Sequence, residues 1–136
     1  DSNYGQYSKW STNKEINTAN AISHAACAVS RSQRIGVLAT MTHSGYTARM
    51  AARYRPASKI IALTPFKKTC RKLAIVWGVS PALVKNYKSA DEIPEVANEE
   101  LQKLGLIKKG ESFVVTGGVP VGISGTTNYL TVLTGT

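Results

Sequence analysis

The sequence predicts an α/β fold, a three-layer αβα sandwich around a five-stranded, mostly parallel sheet whose last strand is antiparallel at an edge. Short apolar runs rich in β-branched residues, such as residues 35–40 and 59–64, alternate with segments in which apolar residues recur every three or four positions. The links between these segments are short, which is typical of a doubly wound sheet. The final run, residues 128–134, follows its predecessor without an intervening helix, so we expect it to pair antiparallel.

Three helical patterns and two strand patterns fill the first half of the chain. The first helix lies within residues 13–30, and its apolar face consists of Ile16, Ala19, Ile22, Ala26 and Val29. Strand 35–40 leads into a helix at 46–54, which Pro56 ends. Strand 59–64 leads into a third helical stripe that Gly78 closes. Its members are Phe66, Cys70, Leu73, Ala74 and Trp77.

The second half contains three strand patterns and one helix. The short run at 81–85 predicts the third strand, and residues 111–118 and 128–134 predict the fourth and fifth. Asp91 is a candidate cap for the intervening helix and Gly105 its stop. The residues expected on the inner face of that helix are Ile93, Val96, Ala97, Leu101 and Leu104.

Length and composition indicate one globular domain. The 136 residues are enough for a buried core, and we assign residues 1–12, rich in Ser, Asn and Tyr, to a tether before a domain at 13–136. No apolar run approaches the roughly 20 residues of a membrane span, and the first residues lack the order of a secretory signal. Cys27 and Cys70 have no metal or redox spacing, so we expect reduced core thiols in a cytoplasmic protein.

The net charge of +9 favours anionic partners. The basic residues are scattered over several short runs, and aromatic residues make up only 7% of the chain without alternating with the cations. A nucleic-acid surface would interleave the two. The pattern therefore argues against nucleic acid and leaves anionic metabolites or an acidic neighbouring protein as the partners that the charge implies.

The stretch "MTHSGYTARM", residues 41–50, places hydroxyl groups, a histidine and a glycine between the first strand and the second helix, with no carboxylate. Ligands of open parallel sheets bind at this position, beside helix N-termini whose amides attract anions. The stretch therefore predicts a phosphate-binding loop. A purely structural alternative is open as well, in which Ser44 or Thr42 simply caps the helix.

A second loop, residues 117–128, consists almost entirely of Gly, Val, Pro, Ser and Thr and follows the fourth strand. Its glycines permit unusual backbone angles and exposed amides. It is either a ligand-binding loop or a long connector to the edge strand. If the first and fourth strands are neighbours, both loops open at the same edge of the sheet.

Catalytic motifs are weak in this chain. Cys27 and His24 would need exposure and an orienting third group to act as a nucleophilic pair. His43 has no second ligand at metal-binding spacing, and neither a Walker lysine nor a dinucleotide fingerprint is present in the sequence. A stand-alone small enzyme or binding protein that acts on a phosphorylated metabolite is the alternative function, and His43 is its only candidate base.

The segments "TMTHSGYTARMAARYRP", "IIALTP" and "VVTGGVPVGISGTTN", in this order, resemble the C-terminal domain of pyruvate kinase, from about Asn13 to the end. The resemblance implies a regulatory domain that binds a phosphorylated allosteric effector. It assigns the effector phosphate to Thr42, His43, Ser44, Gly45, Tyr46 and Thr47. It assigns the loop that closes over the effector to Gly117, Gly118, Val119, Pro120, Val121, Gly122, Ile123, Ser124, Gly125, Thr126 and Thr127.

The same resemblance implies a glycolytic phosphotransferase as the full-length protein, which makes pyruvate and ATP from phosphoenolpyruvate and ADP. The family's catalytic residues belong to a β/α barrel that no segment here matches, so this chain should be inactive alone and hold no cofactor. Mg and K are expected only in the catalytic domain. The partners implied are the rest of the chain and a homotetramer, with a dimer for this chain by itself.

One departure concerns the effector. Relatives activated by fructose 1,6-bisphosphate often carry a Trp and an Arg before or in the first turn of the fourth helix, whereas "KNYKSADEIPE" contains neither. Lys85 and Lys88 are the candidate second-phosphate contacts, acting as point charges rather than bidentate forks. A sugar monophosphate or AMP therefore fits as well as the bisphosphate.

Overall fold

The computed structural model describes residues 18–118 and 127–136. The helices are α1 (Thr18–Ser32), α2 (Tyr46–Arg53), α3 (Lys67–Leu73) and α4 (Ile93–Lys103), the last preceded by a 3₁₀ turn at Ala90–Glu92. The strands are β1 (Val37–Met41), β2 (Lys59–Thr64), β3 (Val79–Leu83), β4 (Ser112–Gly117) and β5 (Tyr129–Thr134). The predicted tether at 1–12 and the predicted start of the first helix lie outside the described residues.

The five strands form one sheet in the order β3-β2-β1-β4-β5. β1 pairs in parallel with both β2 and β4, and β3 pairs in parallel with β2. β5 runs antiparallel to β4, with Phe113 opposite Leu133. The predicted fold class and the antiparallel edge strand are therefore confirmed.

The central strand β1 is buried along its whole length, as its continuous apolar sequence predicts. Val37, Ala39 and Met41 face one core, which α4 covers with Ile93, Val96, Ala97 and Leu101. Leu38 faces the other core, which contains residues of α1, α2 and α3. Helices thus cover both faces of the sheet, which is the predicted three-layer arrangement.

α1 packs against the sheet through small and polar side chains. Its buried residues are Ala19, Ser23, Ala26, Cys27 and Ser30, whereas Ile22 and Val29 of the predicted apolar face are only half-buried. Cys27 is buried and free, and burial raises the pKa of its thiol. Cys70 is also a free thiol, but it is only half-buried, so the predicted core position is wrong for this cysteine.

The third helical stripe is shorter than predicted. α3 ends at Leu73, and within the stripe only Leu73 is fully buried. Phe66 is 45% exposed and Trp77 is 79% exposed. Trp77 lies in the turn before β3, where the Arg55 guanidinium carbon stands 5.6 Å from the centre of its ring. The apolar spacing correctly predicts a helix as far as Leu73. After Leu73 the chain turns toward β3, and Trp77 therefore lies outside the core.

Replacing Trp77 by alanine should therefore change the free energy of unfolding by less than about 1 kcal/mol, the size of an exposed cation–π contact. Leu73→Ala is the matched comparison, because Leu73 is 0% exposed and such a truncation costs about 2–5 kcal/mol. Urea denaturation followed by circular dichroism measures both variants. Equal losses would contradict the exposed position of Trp77.

β3 begins two residues earlier than the predicted strand, at Val79 rather than Pro81. Pro81 lies inside this strand, opposite Ala62 of β2. Proline has no N–H to donate, and an edge strand tolerates it because one side of its backbone has no neighbouring strand. Since β3 is an edge strand, the sheet tolerates the missing N–H of Pro81.

The start of α4 differs from the prediction as well. Asp91 does not cap the helix; Ser89 occupies the cap position of the preceding 3₁₀ turn, and the Glu92 carboxylate accepts the N–H groups of Lys88 at 2.7 Å and Ser89 at 3.0 Å. At the other end Leu104 is 46% exposed and does not extend the inner face. Gly105, with φ 74°, ends the helix as predicted.

Glu92 makes stability at this helix start dependent on pH. The backbone N–H groups of Lys88 and Ser89 lower the pKa of its carboxyl below the ordinary value of 4.5. A carboxyl whose pKa is lowered on folding stabilises the folded state at any pH above its ordinary pKa. This stabilisation is lost as the pH falls through the pKa of the carboxyl in the folded protein. We expect the difference in melting temperature between the wild type and Glu92→Gln to be largest near pH 7 and to shrink below pH 4.5. A constant difference across this range would contradict the assignment.

Candidate functional site

Both polar loops begin at the same edge of the sheet. β1 and β4 are neighbouring parallel strands, so the segments after Met41 and Gly117 leave the sheet side by side. The contact is direct, because the hydroxyl oxygens of Thr47, on α2, and Thr127, before β5, are 2.9 Å apart. Both threonines are buried. The expectation that both loops open at the same edge, which depended on β1 and β4 being neighbours, is thus confirmed.

Gly45 sets the shape of the first loop. It has φ 97° and occupies the cap position of α2 without a side-chain cap. Its N–H donates to Thr42 Oγ1 at 2.7 Å, and the N–H of Tyr46 approaches Ser44 Oγ at 3.4 Å. The structural alternative, in which Thr42 or Ser44 caps the helix, is therefore only partly correct. Thr42 does accept a backbone N–H, but this hydrogen bond closes the turn before α2 and is not a helix cap.

Gly45→Ala should destabilise the domain by about 1–2 kcal/mol, the cost of a left-handed conformation for a residue with Cβ. The added Cβ would also lie 3.2 Å from Leu73 Cδ2. Gly36→Ala is the control, since a Cβ there meets nothing within 4 Å and the residue does not have positive φ. Chemical denaturation of both variants should show a clear loss for Gly45 only.

His43 makes contacts that no local sequence pattern indicates. Its ring centroid is 5.4 Å from that of Phe66 and 5.3 Å from that of Tyr87, and the Thr69 hydroxyl donates to its backbone carbonyl at 2.6 Å. Burial lowers the pKa of the imidazole and raises the pKa of Tyr87 to about 12. Phe66 and Thr69 follow the carboxyl end of β2, so the strand rule used for the first loop could have identified them.

Arg49 also lies at the site, although it is not among the predicted site residues. A Cβ built on Gly45 would lie 3.3 Å from Arg49 Nη1, so the guanidinium group lies beside the first loop. Residues 45 and 49 are one helical turn apart, and that spacing was the available signal. Together with the N-terminus of α2, the guanidinium makes this side of the loop electropositive.

Only the ends of the second loop are described. Gly117 closes β4, and a Cβ there would lie 3.2 Å from Met41 Cβ, so glycine permits the close approach of the two strand ends. Gly118 is half-buried, and the N–H of Asn128 donates to the Gly117 carbonyl at 3.0 Å. The remaining predicted loop residues, Val119, Pro120, Val121, Gly122, Ile123, Ser124, Gly125 and Thr126, lie outside the described residues.

Lys85 and Lys88 lie on either side of Tyr87, whose ring contacts His43 of the first loop. Lys85 also lines a cavity of about 210 Å³ next to α4, together with Glu99, Glu100 and Lys103. The charges of Lys85 and Lys88 both contribute to the low pKa of Glu92. Both lysines therefore have carboxylates nearby, in contrast to the first loop.

Residues 18–118 and 127–136 contain no group of three or more His, Cys, Asp or Glu side chains that could hold a metal ion. Within the same ranges, no helix is both long and apolar enough to cross a membrane.

Fold and site together define a doubly wound α/β domain in which two polar loops begin at the carboxyl edge of the parallel strands. Residues 20–133 match the family described as "Pyruvate kinase, alpha/beta domain". The chain belongs to the pyruvate kinase family and corresponds to its α/β domain.

Known relatives agree with this assignment. The pyruvate kinase of Clostridium acetobutylicum is 38% identical over 120 residues, which is 88% of this chain and 25% of the relative. That of Sporosarcina psychrophila is 38% identical over 117 residues, covering 86% of this chain and 20% of the relative. The solved structure of Cryptosporidium parvum pyruvate kinase in complex with ADP superimposes with a TM-score of 0.78 at 25% identity, over 93% of this chain and 25% of that one. The chain thus spans a quarter or less of the length of these relatives.

Proposed function

We propose that this chain is the regulatory, effector-binding part of a pyruvate kinase. The first loop, Thr42 to Thr47, binds a phosphate group of an allosteric effector, and the second loop closes over it. The observation that carries the proposal is the 2.9 Å contact between Thr47 and Thr127, because it joins the ends of the two loops beside a helix N-terminus.

The chemistry of the first loop suits an anion. The early N–H groups of an α-helix have no partner within the helix, and its dipole favours negative charge at this end. Ser44 and Thr47 add hydroxyl groups, and the Arg49 guanidinium adds a charge that can contact phosphate in a bidentate manner. Lys85 and Lys88 would meet a second phosphate as point charges, which fits a monophosphate as well as a bisphosphate.

The whole protein would then transfer a phosphoryl group from phosphoenolpyruvate to ADP in the cytoplasm, as a homotetramer in glycolysis. In this proposal catalysis, with Mg and K, resides in the remainder of the polypeptide, and the present chain regulates it without activity of its own. The effector would act by population shift, since a ligand that prefers the closed second loop stabilises the subunit arrangement in which closure occurs. Coupling of this kind is about 1–3 kcal/mol.

Isothermal titration of this chain with fructose 1,6-bisphosphate, ribose 5-phosphate and AMP tests the proposal. Saturable binding of one ligand is expected and would identify the effector class. Failure of all three to bind at millimolar concentration would contradict effector binding by this chain and leave it a structural role.

One observation favours a different function, a small enzyme acting on a phosphorylated metabolite. Burial lowers the pKa of His43, which favours the neutral imidazole, the form that can accept a proton. Turnover of a phosphorylated substrate by this chain that disappears in His43→Ala would support this alternative. Binding without turnover would support the regulatory function.

A further inference from the structure

Three buried hydroxyl groups have no hydrogen-bond partner among the described residues. They are Ser23 Oγ, Thr40 Oγ1 and Thr116 Oγ1. Their residues are 1%, 0% and 1% exposed. Other buried hydroxyls do have partners; for example, Ser30 donates to the Cys27 carbonyl and Thr69 to the His43 carbonyl. A buried polar group without a partner is costly, so three in one small domain require an explanation.

Thr40 and Thr116 are direct neighbours across the sheet. They are paired residues of the parallel strands β1 and β4, so their side chains project from the same face. That face packs against α1 and α2, because Leu38 and Val114, two residues earlier on each strand, share a core with Ala26 of α1 and Ala48 of α2. Neighbouring strands are about 4.8 Å apart, which leaves room for a bridging molecule between two hydroxyls that do not bond each other.

The position of Ser23 follows from the direction of α1. A link of only four residues joins the end of α1 at Ser32 to the start of β1 at Val37, so the helix runs roughly antiparallel to the strand. Near the end of α1, Ser30 accepts a hydrogen bond from Ser58, which precedes β2. Ser23 is seven residues earlier on the same face of α1, a rise of about 10 Å toward the carboxyl edge. This rise equals about three residues of a strand, which brings Ser23 level with Thr40 and Thr116. Small residues belong to the core on this face, since Ala26 and Ala48 share it with Leu38 and Val114.

We infer that these three hydroxyls bind one ordered internal water molecule. A buried water typically makes about three hydrogen bonds to groups that otherwise lack partners, and three hydroxyls on three elements supply that number. The water joins α1 to β1 and β4 immediately before the two candidate loops. Its presence does not depend on the proposed function, because it satisfies the core of the domain with or without an effector.

A crystal structure of this chain at about 1.5 Å resolution, together with a set of variants, tests the inference. Density for one water within hydrogen-bond distance of Ser23, Thr40 and Thr116 is expected. A dry site at a resolution that shows other internal waters would overturn the inference.

Thermal unfolding of Ser23→Ala, Thr40→Val and Thr116→Val provides a second measurement, because valine has nearly the shape of threonine. Each single change should lower the melting temperature by about 3 °C or more, since it removes one ligand of the water. The triple variant should lose clearly less than the sum, because it removes every group that needs the water.

The matched control is Thr64→Val. Thr64 is also buried, but its oxygen accepts the N–H of Phe66 directly at 3.3 Å. Its effect should add to that of Thr40→Val, whereas the effects of Thr40→Val and Thr116→Val should not add. Additive losses within the proposed group, or a melting temperature that rises in each single variant, would show that the hydroxyls do not share a water.

Discussion

Replacing Phe113 by alanine is expected to lower the free energy of unfolding by about 3–5 kcal/mol, the range for a fully buried phenylalanine. Phe113 is 0% exposed and lies on β4, in the core that α4 covers. Small domains have only about 5–15 kcal/mol of stability in total, so this single change should remove a large share of it. Urea denaturation followed by circular dichroism measures the loss.

Phe66→Ala is the matched control for this experiment, because the same side chain is 45% exposed there. Its loss should be much smaller than that of Phe113→Ala. If Phe113→Ala does not fold, Phe113→Leu keeps most of the volume and should cost less than about 2 kcal/mol. Losses of equal size at positions 113 and 66 would contradict the core described here.

The Thr42→Ala/Ser44→Ala double variant is expected to weaken binding of the phosphorylated ligand by at least about tenfold, or roughly 1.4 kcal/mol. Hydrogen bonds to a charged group contribute about 1.5–3 kcal/mol each, and the double variant removes two hydroxyls from the loop. Isothermal titration with the ligand that binds the wild type measures the loss. An unchanged affinity would contradict the assignment of the first loop.

Two controls separate loss of the site from loss of the fold. Thr42→Ser keeps the oxygen that accepts the Gly45 N–H and should retain affinity. Thr134→Ala removes a hydroxyl from the opposite edge of the sheet, opposite Ser112, and should leave binding unchanged. The double variant should also unfold cooperatively, which shows that its weaker binding arises in the site.

Much of the fold could be predicted because burial leaves a periodic pattern. The β2 bounds were predicted without error, and α2 was predicted to within a residue at its end. The predictions are wrong where the tertiary structure turns the chain, or caps a helix, in a way that the local pattern does not indicate. Trp77 continues the helical spacing, yet the chain turns toward β3 before this residue and leaves it at the surface. Asp91 is a suitable cap residue by type, yet Ser89 and Glu92 make the capping hydrogen bonds.

The site could be predicted in its position but not in its contacts. Strand ends and glycines indicated the loops at Thr42–Thr47 and after Gly117, because parallel strands bring such loops to one edge. The ring contacts of Phe66 and Tyr87 with His43, and the Thr69 hydrogen bond, join residues separated by more than 20 positions along the chain. No local pattern encodes such pairs.

By itself the sequence determined the α/β class, the antiparallel last strand, the two polar loops and membership of the pyruvate kinase family, because each of these depends on local periodicity or on contiguous motifs. Only the tertiary structure decided that Thr47 meets Thr127, that Arg49 lies beside Gly45, and that the hydroxyls of Ser23, Thr40 and Thr116 are buried without a partner among the described residues. Those relations depend on strand order and helix packing, which bring together side chains that are distant in the sequence.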